Sequence, residues 1–348
     1  MDWNSIHSKY KGKIEAGLSE AAFYRTMEEL IGKLENKRNK YYPPTNSALV
    51  DVGVGFNFAT IAIQGENRAV VTFVQPHNSA DRAGILLHDR ILAVDGKPIP
   101  VDAPELTSMI KGPAGTKVIL TVQTPGQKPR QVELTRKAIE APLPVPYQEL
   151  TTPGGKNVGY LVLVTFTAGS LKDQITEAIK ATTSAKPLDG LILDVRMNPG
   201  GETTTMFEAL SFFTHGTIGN LIMRNEIQVP IDIPDREVNG SSHIPLVVLI
   251  SPGTASAGAL FAGLLPDMGR AYLVGETTYG IEEFGQVFSL SDGSVLIIAV
   301  ASVHSINHPD LNFMGTGVTL DMVVRTDWNE FMSENDPVIR AALNYLDR

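Results

Sequence analysis

The chain has 348 residues, 43% of them hydrophobic, a net charge of −9 and no cysteine. That length can bury a large core and hold two or three domains. The acidic balance argues against nucleic acid as a partner, since a phosphate-binding surface needs clustered Lys and Arg, and without cysteine there is no disulfide, thiolate nucleophile or thiolate metal site.

The histidines stand at 7, 77, 88, 215, 243, 304 and 308, and only His304 and His308 have a two-histidine ligand spacing. No metal or other cofactor is expected. No apolar run reaches the ~18 residues that span a bilayer, the longest being 244–250 and 295–303. Met1-Asp2-Trp3 leads directly into a folded element. Neither a transmembrane segment nor a signal peptide is expected in this chain.

In chain order, residues 1–46 read as a small N-terminal helical cap. Phe23, Met27, Leu30, Ile31 and Leu34 recur at helical spacing, Ser19 is a candidate N-cap, and Pro43-Pro44 ends the segment. From about Ser47 short strand-like runs separated by Gly and Asn take over. Gly53-Val54-Gly55-Phe56 leads into alternating residues, and 69–74 reads as a second strand. A short helix follows Ser79-Ala80, a strand closes on Asp95-Gly96, and a helix over 104–111 carries Leu106, Met109 and Ile110.

That order over 47–138 resembles a PDZ domain, with His88 standing where the family usually has Gly before the Asp. The resemblance implies a mainly-β module that binds the C-termini of unstructured or extended polypeptides. Backbone N–H groups of Gly53, Val54, Gly55 and Phe56 would hold the terminal carboxylate, the strand from Phe56 to Phe58 would pair with the ligand, and Leu106, Met109 and Ile110 would form the other wall. Taken alone, the two glycines need only shape a tight turn.

Beyond Ala141 buried strands alternate with helices. Residues 158–164, 188–195, 245–250 and 271–274 are short apolar runs of the kind found in sheets covered on both faces. Met206, Phe207, Leu210 and Phe213 make one helix face, and Val338, Ile339, Ala342, Leu343 and Leu346 make another after Asp336-Pro337. An α/β core over 139–348 follows, including a C-terminal helix.

Four segments of this core carry motifs. Residues 190–201 read GLILDVRMNPGG, 251–263 read SPGTASAGALFAG, 275–280 read GETTYG, and 315–321 close the core with Gly-x-Gly-Val and Leu320-Asp321. Together they resemble the C-terminal processing peptidases, or tail-specific proteases, serine peptidases with an inserted PDZ domain. The resemblance implies a crotonase- and ClpP-like α/β core, with the PDZ module inserted after the helical cap. It also implies Ser256 as nucleophile, and Ala257 with Gly200 or Gly201 as oxyanion hole. An extracytoplasmic location, periplasm or cell envelope, comes with it, and self-association is left open.

On residue chemistry alone, a helix N-cap is the favoured reading of Ser256, and the neighbouring motifs reverse it. Its place after small residues, at the mouth of an apolar helix, also sets it at a positive helix end. The general base is the difficulty. The family's lysine follows the Thr-Tyr-Gly segment, where this chain has Ile281, and no lysine occurs after Lys186. Relatives that use histidine carry it in an Asp-x-His-Ser/Thr segment. The matching positions are Asn36, Arg38 and Asn39, with Met314 at the acidic position. Ala259 stands where the family has a glutamate.

His304 and His308, expected on a loop after the 295–303 strand, and Glu282 and Glu283 remain, with His304 the speculative base. Two expectations result: a serine endopeptidase that grips tails and cleaves them at Ser256, or a pseudo-peptidase that binds peptides without cutting. A third, weaker one is a scaffold reused on a different small substrate.

Overall fold

The computed structural model describes residues 2–34, 36, 39–44, 52–63, 66–99, 103–138, 145–167, 169–278, 280, 284–308, 317–326, 330–331 and 335–348. The chain divides into two compact units: one of Met1–Leu49, Asn220–Pro230 and Glu282–His304, the other of Val50–Gly219, Ile231–Ile281 and Ser305–Arg348.

The first unit begins with α1 (Trp3–Glu15) and α2 (Glu20–Gly32). Ser19 caps α2, its hydroxyl accepting from the Ala22 N–H at 3.4 Å. The helical reading of residues 1–46 needs one correction, because Lys40–Tyr42 is a strand, β1. Its partner lies far along the chain, which no local pattern reveals.

In the second unit, residues 52–138 form β2 (Val52–Gly53), β3 (Phe56–Ile63), β4 (Glu66–Val74), α3 (Ser79–Arg82), β5 (Arg90–Val94), β6 (Lys97–Pro98), α4 (Ala103–Ile110), β7 (Lys117–Gln123), β8 (Arg130–Thr135) and β9 (Lys137–Ala138). The sheet order is β3-β4-β5-β7-β8, so β3 is an edge strand, and β2 pairs with β9. Alternate residues of β7 and β8, Val118, Leu120, Val122, Val132 and Leu134, point into one core with Ile91 and Leu106.

The remaining chain supplies β10 (Tyr147–Thr151), β11 (Asn157–Val162), α5 (Leu171–Thr182), β12 (Gly190–Asp194), α6 (Thr203–Leu210), β13 (Gly216–Met223), β14 (Gln228–Ile233), β15 (Leu246–Ile250), α7 (Ala257–Asp267), β16 (Tyr272–Gly275), β17 (Phe284–Ser289), β18 (Val295–Ser305), β19 (Met322–Val323) and α8 (Pro337–Leu346). Of these, β17 and nearly all of β18 belong to the first unit. There β1 pairs antiparallel with β18, Lys40 opposite Ile297, and β17 pairs with it too.

The core sheet of the second unit runs β10-β11-β12-β15-β16-β19, parallel except for β10. Its central strands are buried at every residue, which is why they read as unbroken apolar runs rather than as an alternation. On one face α8 covers Val158, Ile192, Val247 and Val274. Asp336 starts α8 by accepting from the Val338 N–H at 2.8 Å, ahead of Pro337, which has no N–H to lose. In a parallel sheet the connections bring strand C-termini and helix N-termini to one edge, where β12 and β15 deliver the motif segments.

Candidate active site

The chain leaves β15 at Ile250 and makes a tight turn before α7. Thr254, fully buried, donates its hydroxyl to the Val195 carbonyl at 2.8 Å and accepts from the Ser251 N–H at 3.0 Å. Ser251 in turn donates to the Arg196 carbonyl at 2.7 Å. The Ala255 N–H reaches the Asn198 carbonyl at 3.0 Å, and the Ser256 N–H reaches the Gly280 carbonyl at 3.2 Å. Three motif segments are thereby stitched together at Ser256.

Ser256 itself adopts φ 51 and ψ −127 and makes no side-chain cap bond. A capping serine has extended dihedrals and bonds the first turn; this one does neither. A non-glycine residue there carries ~1–3 kcal/mol of strain, which persists only where the surroundings enforce it. The conformation makes a sharp strand-to-helix turn, with Ser256 at the mouth of α7. Ser256 is half-buried, whereas α7 behind it is almost wholly buried.

Facing it is the turn that ends β12. Asn198, fully buried, donates to the Leu163 carbonyl at 2.8 Å and accepts from the Gly200 N–H at 2.8 Å. Gly200 has φ 107, and a Cβ there would lie 2.8 Å from Ser256 Cβ and 2.9 Å from the Ala257 nitrogen. Gly201 has φ 141, and its Cβ would meet the Phe166 carbonyl carbon at 2.6 Å. Neither position tolerates a side chain.

The bridge to Phe166 uses the Gly200 carbonyl and the Glu202 N–H, and the Gly201 N–H takes no part in it. The Ala257 N–H, first of α7, has no intrahelical acceptor. Gly201 and Ala257 thus offer N–H groups beside Ser256, while the Gly200 N–H is engaged by Asn198.

Beneath this turn lies a cluster that the sequence reading missed. Arg196 is completely buried, donating to Asp194 at 2.6 Å and to Asp336 at 2.7 Å, with the Phe331 ring 4.4 Å from its Cζ. Burial opposes its charge, but the two aspartates outweigh burial and raise its pKa further above the ordinary value. Tyr160 donates to Asp194 at 2.7 Å, and burial, then the Asp194 charge, hold its phenol well above the usual range. The signal was present: Asp194-x-Arg196 places opposite charges at the end of a fully apolar strand, where only a pair can be buried.

His88 is the PDZ residue that meets this cluster. Its ring stands edge-on to Phe331, centroids 5.5 Å apart, at φ 71. Burial, then the Arg196 charge, push its pKa down to about 4.

Around Ser256 the base positions fall as follows. Ile281, Glu282, Glu283, Met314 and Arg38 lie outside the described residues. Gly280, which precedes Ile281 in sequence, is bridged to Ala255. The closing segment joins through Val318, whose N–H donates to the Thr278 hydroxyl at 3.0 Å. Asn39 accepts from the Ala299 N–H at 2.8 Å within the first unit.

The expected loop at His304 is corrected: β18 continues to Ser305, and His304 lies on the strand in the first unit, its Nε2 3.1 Å from the Ser302 hydroxyl. His308 contacts Asp267 at 2.6 Å. Asp267 ends α7, ~15 Å from Ser256 at 1.5 Å per residue. Ala259 is buried inside α7. Among the described residues the Ser256 hydroxyl has no hydrogen-bond partner.

The PDZ groove has the required parts. Gly55 has φ 87, and a Cβ there would overlap the Asn78 side chain at 2.4 Å. The loop is held from behind by the Ala80 N–H on the Val54 carbonyl and the Gln75 N–H on the Gly55 carbonyl, at 3.0 and 2.8 Å. A cavity of about 330 Å³ is lined by Gly53, Val54, Phe56, Phe58 and Ile110, and by Met197 and Pro199 of the core turn. Leu106 is fully buried in the PDZ core and Met109 packs against that core, so Ile110 is the apolar α4 side chain that lines the cavity.

Comparison with known proteins agrees with this arrangement. The family model described as Peptidase family S41 matches residues 157–324, and that for the PDZ domain matches 70–124. The carboxyl-terminal-processing protease of Synechocystis sp. (strain ATCC 27184 / PCC 6803 / Kazusa) is 31% identical over 99% of this chain and 81% of its own length. That of Picosynechococcus sp. (strain ATCC 27264 / PCC 7002 / PR-6) is 30% identical over 99% and 84%. A solved structure titled photosystem II D1 C-terminal processing protease shares the fold, with a TM-score of 0.64 over 96% of this chain and 92% of that one at 23% identity. No helix among the described residues is long and apolar enough to cross a membrane. The chain belongs to peptidase family S41, among the carboxyl-terminal-processing proteases.

Proposed function

We propose that the chain binds the C-terminal tails of unstructured polypeptides and that Ser256 is its acylating nucleophile. The tail adds as a strand to the open edge of β3, its terminal carboxylate on the N–H groups of the Gly53–Phe56 loop. Ser256 Oγ attacks the scissile carbonyl carbon and its proton passes to a base. The N–H groups of Ala257 and Gly201 receive the oxyanion, each worth roughly 2.7–4 kcal/mol in the transition state. The amine leaves with a proton, and water then releases the acyl group.

The observation that carries this reading is the conformation of Ser256, left-handed and uncapped, pressed against Gly200. With it goes a division into an N-terminal cap over 1–46, helical up to β1, a PDZ module over 47–138 and a crotonase- and ClpP-like core over 139–348. An extracytoplasmic location is part of the same reading.

A second reading has its own support. Isoleucine at 281 cannot accept a proton, which favours a pseudo-peptidase that holds tails intact. Incubation with a disordered tail peptide, followed by mass spectrometry, separates the two. Cleavage that Ser256→Ala abolishes upholds the first reading; binding without cleavage over long incubation upholds the second. Cleavage that survives Ser256→Ala would falsify the nucleophile assignment.

A further inference from the structure

Arg136 lies just after β8 and is 8% exposed. Its partners are oxygens of neutral groups. Nε donates to the Ile110 carbonyl at 2.7 Å and Nη2 to the Met109 carbonyl at 3.4 Å, while Nη1 donates to the Lys117 carbonyl at 2.7 Å and the Thr116 hydroxyl at 3.0 Å. Met109 and Ile110 are the last residues of α4. The carbonyls there have no intrahelical donor, and a cation at a helix C-terminus meets the negative end of its dipole. Gly112 makes room, since a Cβ there would lie 2.9 Å from Arg136 Nε.

The residues on either side of Arg136 grip the rest of the groove. The Thr135 N–H donates to the Ser79 hydroxyl at 2.7 Å, at the start of α3. Lys137 and Ala138 pair as β9 with Gly53 and Val52, the strand that opens the carboxylate loop. One short segment therefore holds the loop through its backbone and the end of α4 through its side chain. Ile110 and Gly53 line the same cavity, so the separation between them is the width that an incoming tail meets.

We infer that Arg136 is a positioning residue for tail capture, fixing the end of α4 against the carboxylate loop without touching the tail. The inference rests on the tail-binding reading above. A guanidinium is suited to this because its planar fork engages several carbonyls at once in fixed geometry, which an ammonium cannot reproduce. A purely structural role would lower stability in proportion to what is lost, as any PDZ core truncation would; a positioning role separates affinity from stability.

The test uses the full chain and a fluorescent tail peptide with a free carboxylate, its amidated form serving as the non-binding control. Arg136→Met is compared with Arg136→Lys and with Val132→Ala, which truncates a buried β8 side chain facing the PDZ core. Thermal melts confirm that each is folded at the assay temperature. Arg136→Met is expected to raise the dissociation constant roughly 10-fold or more, from loss of charge-assisted bonds that hold the wall. Arg136→Lys should recover part of that, and Val132→Ala should lower the melting temperature with affinity changed less than about twofold.

Arg136→Met binding within about twofold of the parent, or Val132→Ala losing affinity as much as Arg136→Met, overturns the inference. A parent chain that shows no preference for the free carboxylate overturns the tail-binding reading and this inference with it.

Discussion

The carboxylate loop of the PDZ module and the Gly200–Gly201 turn of the core are built alike and depend on different things. Each is a turn with glycine at positive φ, pinned from behind by hydrogen bonds to its carbonyls or to a buried asparagine. Both are concave donors suited to negative charge. Under the proposed function the loop needs nothing more, because a tail would arrive already ionised. The turn would face an alkoxide that must first be made, so it would depend on a titratable side chain brought by another element.

The sharpest way to test that contrast is to supply the missing group. Ile281→Lys restores the family residue, and tail cleavage followed by mass spectrometry is expected to rise by ~10²-fold or more, general-base catalysis being worth that much. No gain in a folded variant breaks the comparison, since the turn would then be deficient as well.

Exchanging the two glycines separates the sites. In the Ile281→Lys background, Gly200→Ala forces a Cβ to within 2.8 Å of Ser256 Cβ and should cost ~10² in cleavage with tail affinity unchanged. Gly55→Ala, whose Cβ would overlap Asn78, should raise the tail dissociation constant roughly 10-fold, while hydrolysis of a short activated ester is kept. Peptide anisotropy and ester turnover read the two effects.

The smallest effect concerns the contact that joins the two regions. His88 is partly buried, and desolvation, then the Arg196 charge, push its pKa from 6.5 to about 4, so it is neutral at pH 7. The unfolded chain therefore takes up that proton first, and the contribution is whole above pH 6.5 and falls away toward pH 4. Denaturant titrations at pH 7 and 4.5 should show the parent losing ~2 kcal/mol more than His88→Gly, which also accepts φ 71 without strain. Equal slopes would mean that the ring against Phe331 contributes nothing specific.

Much of this was legible in the sequence because the relevant patterns are local. Unbroken apolar runs announced the parallel strands, and Asp336-Pro337 announced α8. Glycines at 55, 200 and 201 stood where positive φ was needed. What stayed hidden depends on distant pairing. β1 could not be read from its three residues, because β18 supplies its partner, as it supplies Ala299 to Asn39 from 260 residues away.

That the Gly200 N–H is engaged by Asn198 needed the Asn198 side chain to be placed, since spacing alone treats Gly200 and Gly201 alike. Leu106, which the PDZ resemblance assigned to the groove wall, turns instead into the PDZ core. One turn of helix presents too few positions to tell an inner face from a lining one when both are apolar.

The pairing of Arg196 with Asp336, 140 residues later, has a consequence for the order of assembly. Until Asp336 has emerged during synthesis, the guanidinium under the Asn198–Gly201 turn lacks one of its two counterions, and an incompletely neutralised charge resists being taken out of water. A nascent chain would thus hold its nucleophile region unfinished until α8 docks. Shaping of the Asn198–Gly201 turn is thereby tied to a late step of folding.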